Sequence, residues 1–270
     1  MAATSDEAEI NGTRLRYRVA GTGSPIVFLH GFALDLRMWD EQVTAFAEWY
    51  RVIRYNLRGF GGSAMPGQTA YDHADDLRAL LDHLGIATAA GIIGLSMGGE
   101  VALDFALAHP TRLRALVLAD AIIGGYRWSA AWQAATAPAW RAARESGLAT
   151  ARERWLAHAG LFGPAHEQPR VAADLGRMVG DYSGWHWLNR DPRQEATPPA
   201  IERLAQISIP TLIVNGERDD PDFLAQATIL RERISGARTA TLPGVGHLAN
   251  LEAPAAFNRA VIDFLGAVVP

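Results

Sequence analysis

Cysteine and lysine are both absent from this chain of 270 residues. Without cysteine, the chain can form no disulfide, no thiolate nucleophile and no cysteine-ligated metal site. All 25 basic residues are arginine, and the absence of lysine excludes Schiff-base chemistry, including that of pyridoxal phosphate enzymes. The scattered histidines lack the spacing of metal ligands, so we expect neither a metal nor an organic cofactor.

Long apolar runs and basic clusters are missing as well. No apolar segment approaches the length of a transmembrane helix, and the N-terminal sequence MAATSDEAEING has neither the basic nor the apolar region of a secretory leader. The net charge is −4, so we expect neither nucleic acid nor a membrane as a partner. Together these absences predict a cytoplasmic protein whose partner is a small molecule. They leave the oligomeric state open, as either a monomer or a homodimer.

Apolar runs alternate with segments of helical spacing over most of the chain. Asn11-Gly12 predicts a hairpin turn, so the chain should open with an antiparallel pair. Further strands are predicted at residues 26–29, 52–55, 90–94, 113–118, 211–214 and 238–242. Helical patterns lie between them, and this repetition predicts an α/β fold with a mostly parallel central sheet flanked by helices.

The alternation stops between residues 121 and 199, where the sequence is helical, rich in alanine and arginine, and contains six of the eight tryptophans. We interpret this segment as an inserted all-helical cap, with residues 1–120 and 200–270 forming the core domain. The tryptophans could line an aromatic pocket or fasten the cap helices to one another and to the core, and packing is favoured for any single one. Trp128, just after the strand that leads to Asp120, is the best candidate for the pocket.

The stretch IIGLSMGG at residues 92–99 places a serine between glycines directly after a buried strand. It could be a simple turn between a strand and a helix, or the sharp turn that presents a nucleophile. In Gly-x-Ser-x-Gly, a Cβ at either glycine would collide with the neighbouring strand or helix. The next residue offers its amide at a helix N-terminus, where unpaired N–H groups favour a developing oxyanion. Ser96 is therefore a candidate nucleophile, and the Met97 amide a candidate oxyanion donor.

Three other strand ends carry polar groups at the edge where a parallel sheet places its functional site. After strand 26–29, the Phe32 amide could be a second oxyanion donor, although a plain turn would have the same sequence. The loop after strand 211–214 offers several carboxylates. An acid in this loop comes after the serine in the chain, as in catalytic triads of the order Ser, Asp, His. His247 follows the last strand in a glycine-rich loop, where an isolated histidine would be an ordinary surface residue.

Taken together and in this order, the motifs resemble those of the α/β-hydrolase superfamily. The motifs are His30-Gly31-Phe32, Arg58-Gly59-Phe60-Gly61-Gly62-Ser63, Gly94-Leu95-Ser96-Met97-Gly98, Gly216-Glu217-Arg218-Asp219, and Gly246-His247 followed by Glu252-Ala253-Pro254. The resemblance extends from the first hairpin to the last helix, apart from the cap, and it implies the fold of that superfamily.

The resemblance also assigns roles to the candidate residues. It implies that Ser96 is the nucleophile, His247 the general base and Asp219 the acid. The oxyanion hole would be formed by the backbone amides of the residues at positions 32 and 97. Asp219 is preferred over Asp220 because the acid of the family lies three residues after the strand-ending glycine. Asp120 is the alternative, since some members place their carboxylate at the end of that earlier strand.

Within the superfamily, segments 72–77 and 247–254 are most similar to the 3-oxoadipate enol-lactonase-like and small carboxylesterase group. This similarity implies hydrolysis of a small carboxylic ester or lactone through an acyl-enzyme on Ser96. A serine at the elbow argues against haloalkane dehalogenases and epoxide hydrolases, which carry aspartate there. A carbon–carbon bond hydrolase is less favoured, because Leu248 stands where those enzymes typically have tryptophan. Cofactor-free perhydrolysis, and a ligand receptor with slow or no turnover, remain alternatives.

The sequence constrains the substrate pocket less tightly. We expect an apolar or aromatic moiety in the substrate, with Trp128, Leu248 and Trp187 as candidates to contact it. An enol-lactone with a free carboxylate would need an arginine near the pocket. The cap offers three candidates for that arginine: Arg127, Arg141 and Arg190.

Overall fold

The structure is a computed structural model that describes residues 4–269. Within this range the strands are β1 (Thr4–Ile10), β2 (Thr13–Ala20), β3 (Ser24–Leu29), β4 (Tyr50–Tyr55), β5 (Gly91–Leu95), β6 (Leu116–Ala119), β7 (Thr211–Gly216) and β8 (Arg238–Leu242). They form one sheet of order β1-β2-β4-β3-β5-β6-β7-β8. The β1–β2 and β2–β4 pairs are antiparallel, and all the other described pairs are parallel. The predicted α/β fold with a mostly parallel sheet is confirmed.

Helices cover the sheet and fill the segment between β6 and β7. The α-helices are α1 (Asp40–Phe46), α2 (His73–His83), α3 (Met97–Ala108), α4 (Ala130–Glu145), α5 (Leu148–Leu156), α6 (Ala159–His166), α7 (Pro169–Asp181), α8 (Trp185–Leu188), α9 (Ala200–Arg203), α10 (Pro221–Arg233), α11 (Ala249–Glu252) and α12 (Pro254–Val268). Short 3₁₀ helices lie at Leu36–Trp39, Pro110–Arg112 and Leu204–Gln206. None of the helices in the described range is long and apolar enough to cross a membrane.

The central strands are apolar on both faces because helices cover both sides of the sheet. Every residue of β5 and β6 is buried, as is usual for parallel strands that lie between two helical layers. β6 begins three residues later than the sequence pattern indicates. The reason is that Leu113 forms only an isolated bridge with Ala89, and the continuous ladder starts at Leu116 opposite Ile92.

Residues 121–199 contain α4 to α8 and no strand, in agreement with the helical pattern of the sequence. The beginning of this segment is held to α10 through a buried carboxylate. Asp222 accepts hydrogen bonds from the Tyr126 hydroxyl at 2.8 Å and from the Ser129 hydroxyl at 2.6 Å. Such buried, charge-assisted bonds fix the position of the segment relative to the sheet. Its separation as a cap domain remains a prediction.

The parallel strands β3, β5, β6, β7 and β8 all end at the same edge of the sheet. Their connecting loops therefore meet there, and this edge is where α/β proteins place ligands. Each of the candidate catalytic residues named from the sequence follows one of these strands.

Candidate active site

Ser96 lies at a sharp turn between β5 and α3, and its backbone φ is +56°. A positive φ is uncommon for a residue with a side chain, and such strain is held in place only by the surrounding structure. Here the Ser96 amide donates to the Ala119 carbonyl of β6 at 3.0 Å, which fixes the turn to the neighbouring strand. This is the strand–turn–helix geometry in which a serine hydroxyl is presented at the sheet edge.

The two flanking glycines are required by close backbone contacts. A Cβ on Gly94 would lie 2.1 Å from the Gly98 carbonyl oxygen, and a Cβ on Gly98 would lie 2.2 Å from the Leu29 carbonyl oxygen. Real Cβ atoms do not approach backbone oxygens so closely, and a close-packed interior resists the shift that would relieve the clash. The collision expected from the sequence pattern is present on both sides of the serine.

We expect Gly98→Ala to lower the free energy of unfolding by about 3 kcal/mol, because β3 or α3 must move to accept the methyl group. Urea unfolding followed by circular dichroism measures this change. The matched control is Gly176→Ala in α7, where a Cβ would have open space. That substitution should raise the free energy of unfolding by about 0.5–1 kcal/mol, because alanine is the better helix former. Equal effects in the two variants would contradict the close contact at the elbow.

Two backbone amides are available near Ser96 as oxyanion donors. Met97 is the first residue of α3, so its N–H has no partner within the helix. Within residues 4–269, neither the Met97 amide nor the Phe32 amide donates a hydrogen bond to the protein. Both residues line the cavity that contains Ser96. Free N–H groups beside a nucleophile, one of them at a helix N-terminus, can stabilise a developing negative charge.

The loop that carries Phe32 is held by buried contacts. His30 Nδ1 lies 2.9 Å from the Gly31 carbonyl oxygen, and its Nε2 accepts a hydrogen bond from the Leu57 amide at 3.0 Å. Burial lowers the pKa of His30, which favours the neutral tautomer with one donor and one acceptor nitrogen that these bonds require. His30 therefore positions the loop, a role that the sequence motif did not reveal.

His247 and Asp219 form a buried pair beside the cavity. His247 Nδ1 lies 3.0 Å from Asp219 Oδ1 and 3.2 Å from Asp219 Oδ2. Glu252 holds the loop of His247. Its carboxylate accepts hydrogen bonds from the Gly246 amide at 2.7 Å and from the Leu248 amide at 3.0 Å. A carboxylate on Nδ1 fixes the tautomer that leaves Nε2 free to accept a proton.

The environment keeps His247 neutral at physiological pH. Burial lowers the pKa of His247 below its usual 6.5, although the negative charges of Asp120 and Glu252 act in the opposite direction. A histidine with a lowered pKa is unprotonated at pH 7 and can act as a general base. Any activity that needs neutral His247 should therefore fall only when the pH drops below 6.5.

Asp120 lies next to Asp219 and has its own strained backbone, with φ at +41°. Its Oδ1 accepts the Gly216 amide at 3.0 Å. Burial, and then the charge of Asp219, raise the pKa of Asp120 well above its usual range. Burial also raises the pKa of Asp219. Of the two carboxyl groups, Asp219 has the partners that favour an ionised carboxylate, because His247 Nδ1 lies beside it and the Asp220 amide donates to its Oδ1 at 2.7 Å.

Ser96 and His247 line one cavity of about 730 Å³. Within the described residues the Ser96 hydroxyl and the imidazole are not hydrogen-bonded to each other. Catalytic hydrogen bonds are often long or misaligned without substrate and shorten when it binds. The structure therefore brings the candidate nucleophile, base and acid together at one site.

Trp128 and Leu248 line this cavity, as the sequence suggested, whereas four other candidates do not. Trp187 is fully buried and packs against the Phe32 and Tyr182 rings, so it supports the cavity wall from behind. The arginines predicted to meet a substrate carboxylate are all exposed and lie outside the lining: Arg127, Arg141 and Arg190. No sequence pattern indicated that these arginines are exposed, because local patterns do not determine how the segment of residues 121–199 folds against the core.

The remaining lining is mostly aromatic and aliphatic. The side chains that make up this apolar wall include Phe32, Leu34, Trp128, Trp132, Trp140, Trp155, Leu161, Phe162 and Phe223. The Phe32 ring stacks on Trp140 with centroids 5.6 Å apart, so this residue contributes its ring as well as its amide. The one arginine in the described lining is Arg193, which sequence reasoning missed. A cavity of this size and composition suits an apolar small molecule.

Comparisons with known proteins agree with this architecture. The sequence model of the family described as alpha/beta hydrolase fold matches residues 24–254. The chain is 32% identical over 242 residues to 3-oxoadipate enol-lactonase 2 of Acinetobacter baylyi, a match that covers 87% of this chain and 86% of that protein.

Two solved structures extend the similarity to the whole chain. The enol-lactonase from Burkholderia xenovorans LB400 has a TM-score of 0.79 at 27% identity and covers 97% of this chain and 100% of its own. An esterase from Rhodococcus sp. ECU1013 has a TM-score of 0.79 at 26% identity, with coverage of 99% and 100%. Similarity over nearly the full length of each chain includes the segment between β6 and β7.

Proposed function

The chain belongs to the α/β hydrolase fold family and is a hydrolase of the carboxylesterase or lactonase type. We propose that it cleaves a small carboxylic ester or lactone through an acyl-enzyme on Ser96. One observation carries this proposal. The strained Ser96 shares a cavity with the buried His247–Asp219 pair and with two unpaired backbone amides. These are the groups that acyl transfer requires.

In the proposed mechanism, His247 Nε2 takes the proton of the Ser96 hydroxyl as its oxygen attacks the substrate carbonyl. The carbonyl oxygen becomes an anion, which the Phe32 and Met97 amides stabilise. Asp219 holds the imidazole and stabilises its cation, and His247 then returns the proton to the leaving alcohol. Water, activated by the same histidine, releases the acid from the serine.

The lining supports an apolar acyl or alcohol group in the substrate. Aromatic rings dominate the wall near His247, where Phe223 lies 4.2 Å from the imidazole between ring centroids, and Trp128 stacks on Trp132 at 4.4 Å. Burial of each additional methylene group contributes about 0.8 kcal/mol. The cavity should therefore prefer acyl groups larger than acetyl.

A series of 4-nitrophenyl esters from acetyl to octanoyl, with phenyl esters and small lactones added, tests this function. We expect sustained turnover, with kcat/KM rising about threefold per methylene until the cavity is full. Stopped-flow measurement of the first turnover shows whether an acyl-enzyme accumulates. No turnover of any ester or lactone would contradict the proposal.

The other reaction classes give different results in the same experiment. A single burst equal to the enzyme concentration, without turnover, would favour a ligand receptor over an esterase. Turnover that depends on added peroxide would favour perhydrolysis. Cleavage of a 1,3-diketone in preference to every ester would favour a carbon–carbon bond hydrolase.

A further inference from the structure

The substrate cavity has a charged end that the proposed triad does not use. The six titratable residues that form it are His73, Glu100, His186, Asp191, Arg193 and Glu195. We call this group the acidic end, because it holds three carboxylates and one guanidinium. Asp191 links two of the other members. Its Oδ1 accepts a hydrogen bond from the Arg193 amide at 3.1 Å, and its Oδ2 lies 3.6 Å from His186 Nε2.

The single guanidinium of the acidic end is already paired. Arg193 donates two hydrogen bonds to Glu100, at 3.1 Å and 2.9 Å, in a bidentate arrangement. Burial opposes the charge of Arg193, but the Glu100 carboxylate outweighs it and raises the pKa of Arg193. A cation held in this way has no free pair of N–H groups in the right geometry for a second carboxylate.

The two histidines of the acidic end add no positive charge near neutral pH. Burial lowers the pKa of His73 well below its usual value and lowers that of His186 to about 4. His73 is only 5% exposed, and its Nδ1 has no hydrogen-bond partner among the described residues. This nitrogen is itself buried, so His73 shapes the cavity wall without presenting a positive charge to a ligand.

A further acid lies behind the ion pair. Asp104, on the next turn of α3 after Glu100, lines a smaller cavity of about 290 Å³ that shares Glu100, Arg193 and Glu195 with the main one. Burial, and then the charge of Glu100, raise the pKa of Asp104 to about 7. Part of the Asp104 population is therefore ionised at neutral pH, which adds to the negative potential of this end.

We propose that the acidic end is a specificity subsite for the non-reacting end of the substrate. It accepts an ammonium group there and rejects a carboxylate. This inference rests on the proposed function, since it concerns the substrate of that site. Beside the Glu100–Arg193 pair, a carboxylate would meet the like charges of Asp191 and Glu195, whereas an ammonium would meet opposite charge there.

A matched set of three 4-nitrophenyl esters tests the subsite. Their acyl groups have the same three-carbon spacer and end in a carboxylate, a methyl ester or a trimethylammonium group. We expect kcat/KM to fall at least about tenfold from the methyl ester to the carboxylate, and to rise about threefold from the methyl ester to the ammonium. Equal values for all three, or a preference for the carboxylate, would overturn the proposal.

Glu100→Gln provides a gain-of-preference test. This change removes one negative charge and frees Arg193, so the ratio of carboxylate to methyl ester kcat/KM should rise at least about tenfold. Glu195→Gln, at an exposed position that folding does not depend on, should raise the same ratio about threefold. Glu232→Gln, on the exposed face of α10, changes the net charge equally and should leave the ratio unchanged. If all three variants changed the ratio alike, a local subsite would be excluded.

Equilibrium binding separates failure of the subsite from failure of the proposed function. Wild-type protein is titrated with 3-phenylpropanoate and with (3-phenylpropyl)trimethylammonium, and quenching of the cavity tryptophans is followed. Tighter binding of the ammonium supports the subsite even if no ester is turned over. Turnover of esters together with equal binding of both probes would overturn the subsite and leave the hydrolase proposal standing.

Discussion

Ser96→Ala should lower kcat/KM for the best ester by about 10⁵-fold, while the free energy of unfolding changes little or increases. The large loss follows because Ser96 is the proposed nucleophile, and the imidazole and amides alone supply only residual catalysis. Kinetics with the best 4-nitrophenyl ester, corrected for spontaneous hydrolysis, measure the effect. Loss of the stopped-flow burst should accompany it.

The matched control for this variant is Ser235→Ala, at an exposed serine after α10 and away from the cavity. Its kcat/KM should equal that of the wild type. Thermal unfolding of Ser96→Ala distinguishes loss of the nucleophile from loss of the fold, because removing a hydroxyl from a strained turn leaves the backbone contacts of the turn in place. Retention of more than a tenth of the wild-type activity would show that Ser96 is not the nucleophile.

Asp219→Asn should lower kcat by about 10³- to 10⁴-fold. An asparagine amide next to His247 Nδ1 can donate rather than accept, so it would favour the tautomer with the proton on Nε2. In that tautomer His247 cannot take the Ser96 proton. The measurement is kcat at saturating ester, since binding of an apolar substrate should not depend on this carboxyl.

Asp120→Asn is the comparison that decides between the two carboxyl groups. Its amide oxygen can still accept a hydrogen bond from the Gly216 amide, and the change removes only the capacity of this position to ionise. We therefore expect a loss of no more than about tenfold, the size of one hydrogen bond. A loss as large as that of Asp219→Asn would instead make Asp120 the acid of the triad.

The pH profile of the wild type gives an independent check on this pair. Because burial lowers the pKa of His247, the neutral base persists below pH 6.5, and kcat/KM should fall only below that value. Asp120→Asn should leave this limb below pH 6.5, because loss of the Asp120 charge can only lower the pKa of His247 further. An acid limb above pH 6.5 in the wild type would contradict a buried, neutral His247.

Residue types and spacing alone were enough to predict the fold class and to single out the candidates for catalysis. Some backbone demands are local: glycine at position 94 is needed because a Cβ there would clash with the Gly98 carbonyl group four residues later. Period-two and period-3.6 patterns likewise depend on which face of an element is buried, so they can be read without knowing the partner. The parallel pairing of the strands follows from the same repetition, because parallel strands need helical crossovers.

Only the tertiary structure decided which charges meet in the cavity. Arg193 pairs with Glu100, which lies 93 residues away in the sequence, and no local pattern encodes such a contact. No local pattern encodes the exposed position of Arg127 either. The effect of the Asp219 charge on the pKa of Asp120 arises in the same way, because neighbouring strand ends bring two acids together from loops that are distant in the chain. The sequence determines local conformation through short-range sterics and burial, whereas the electrostatics of a site depend on distances that exist only once the chain has folded.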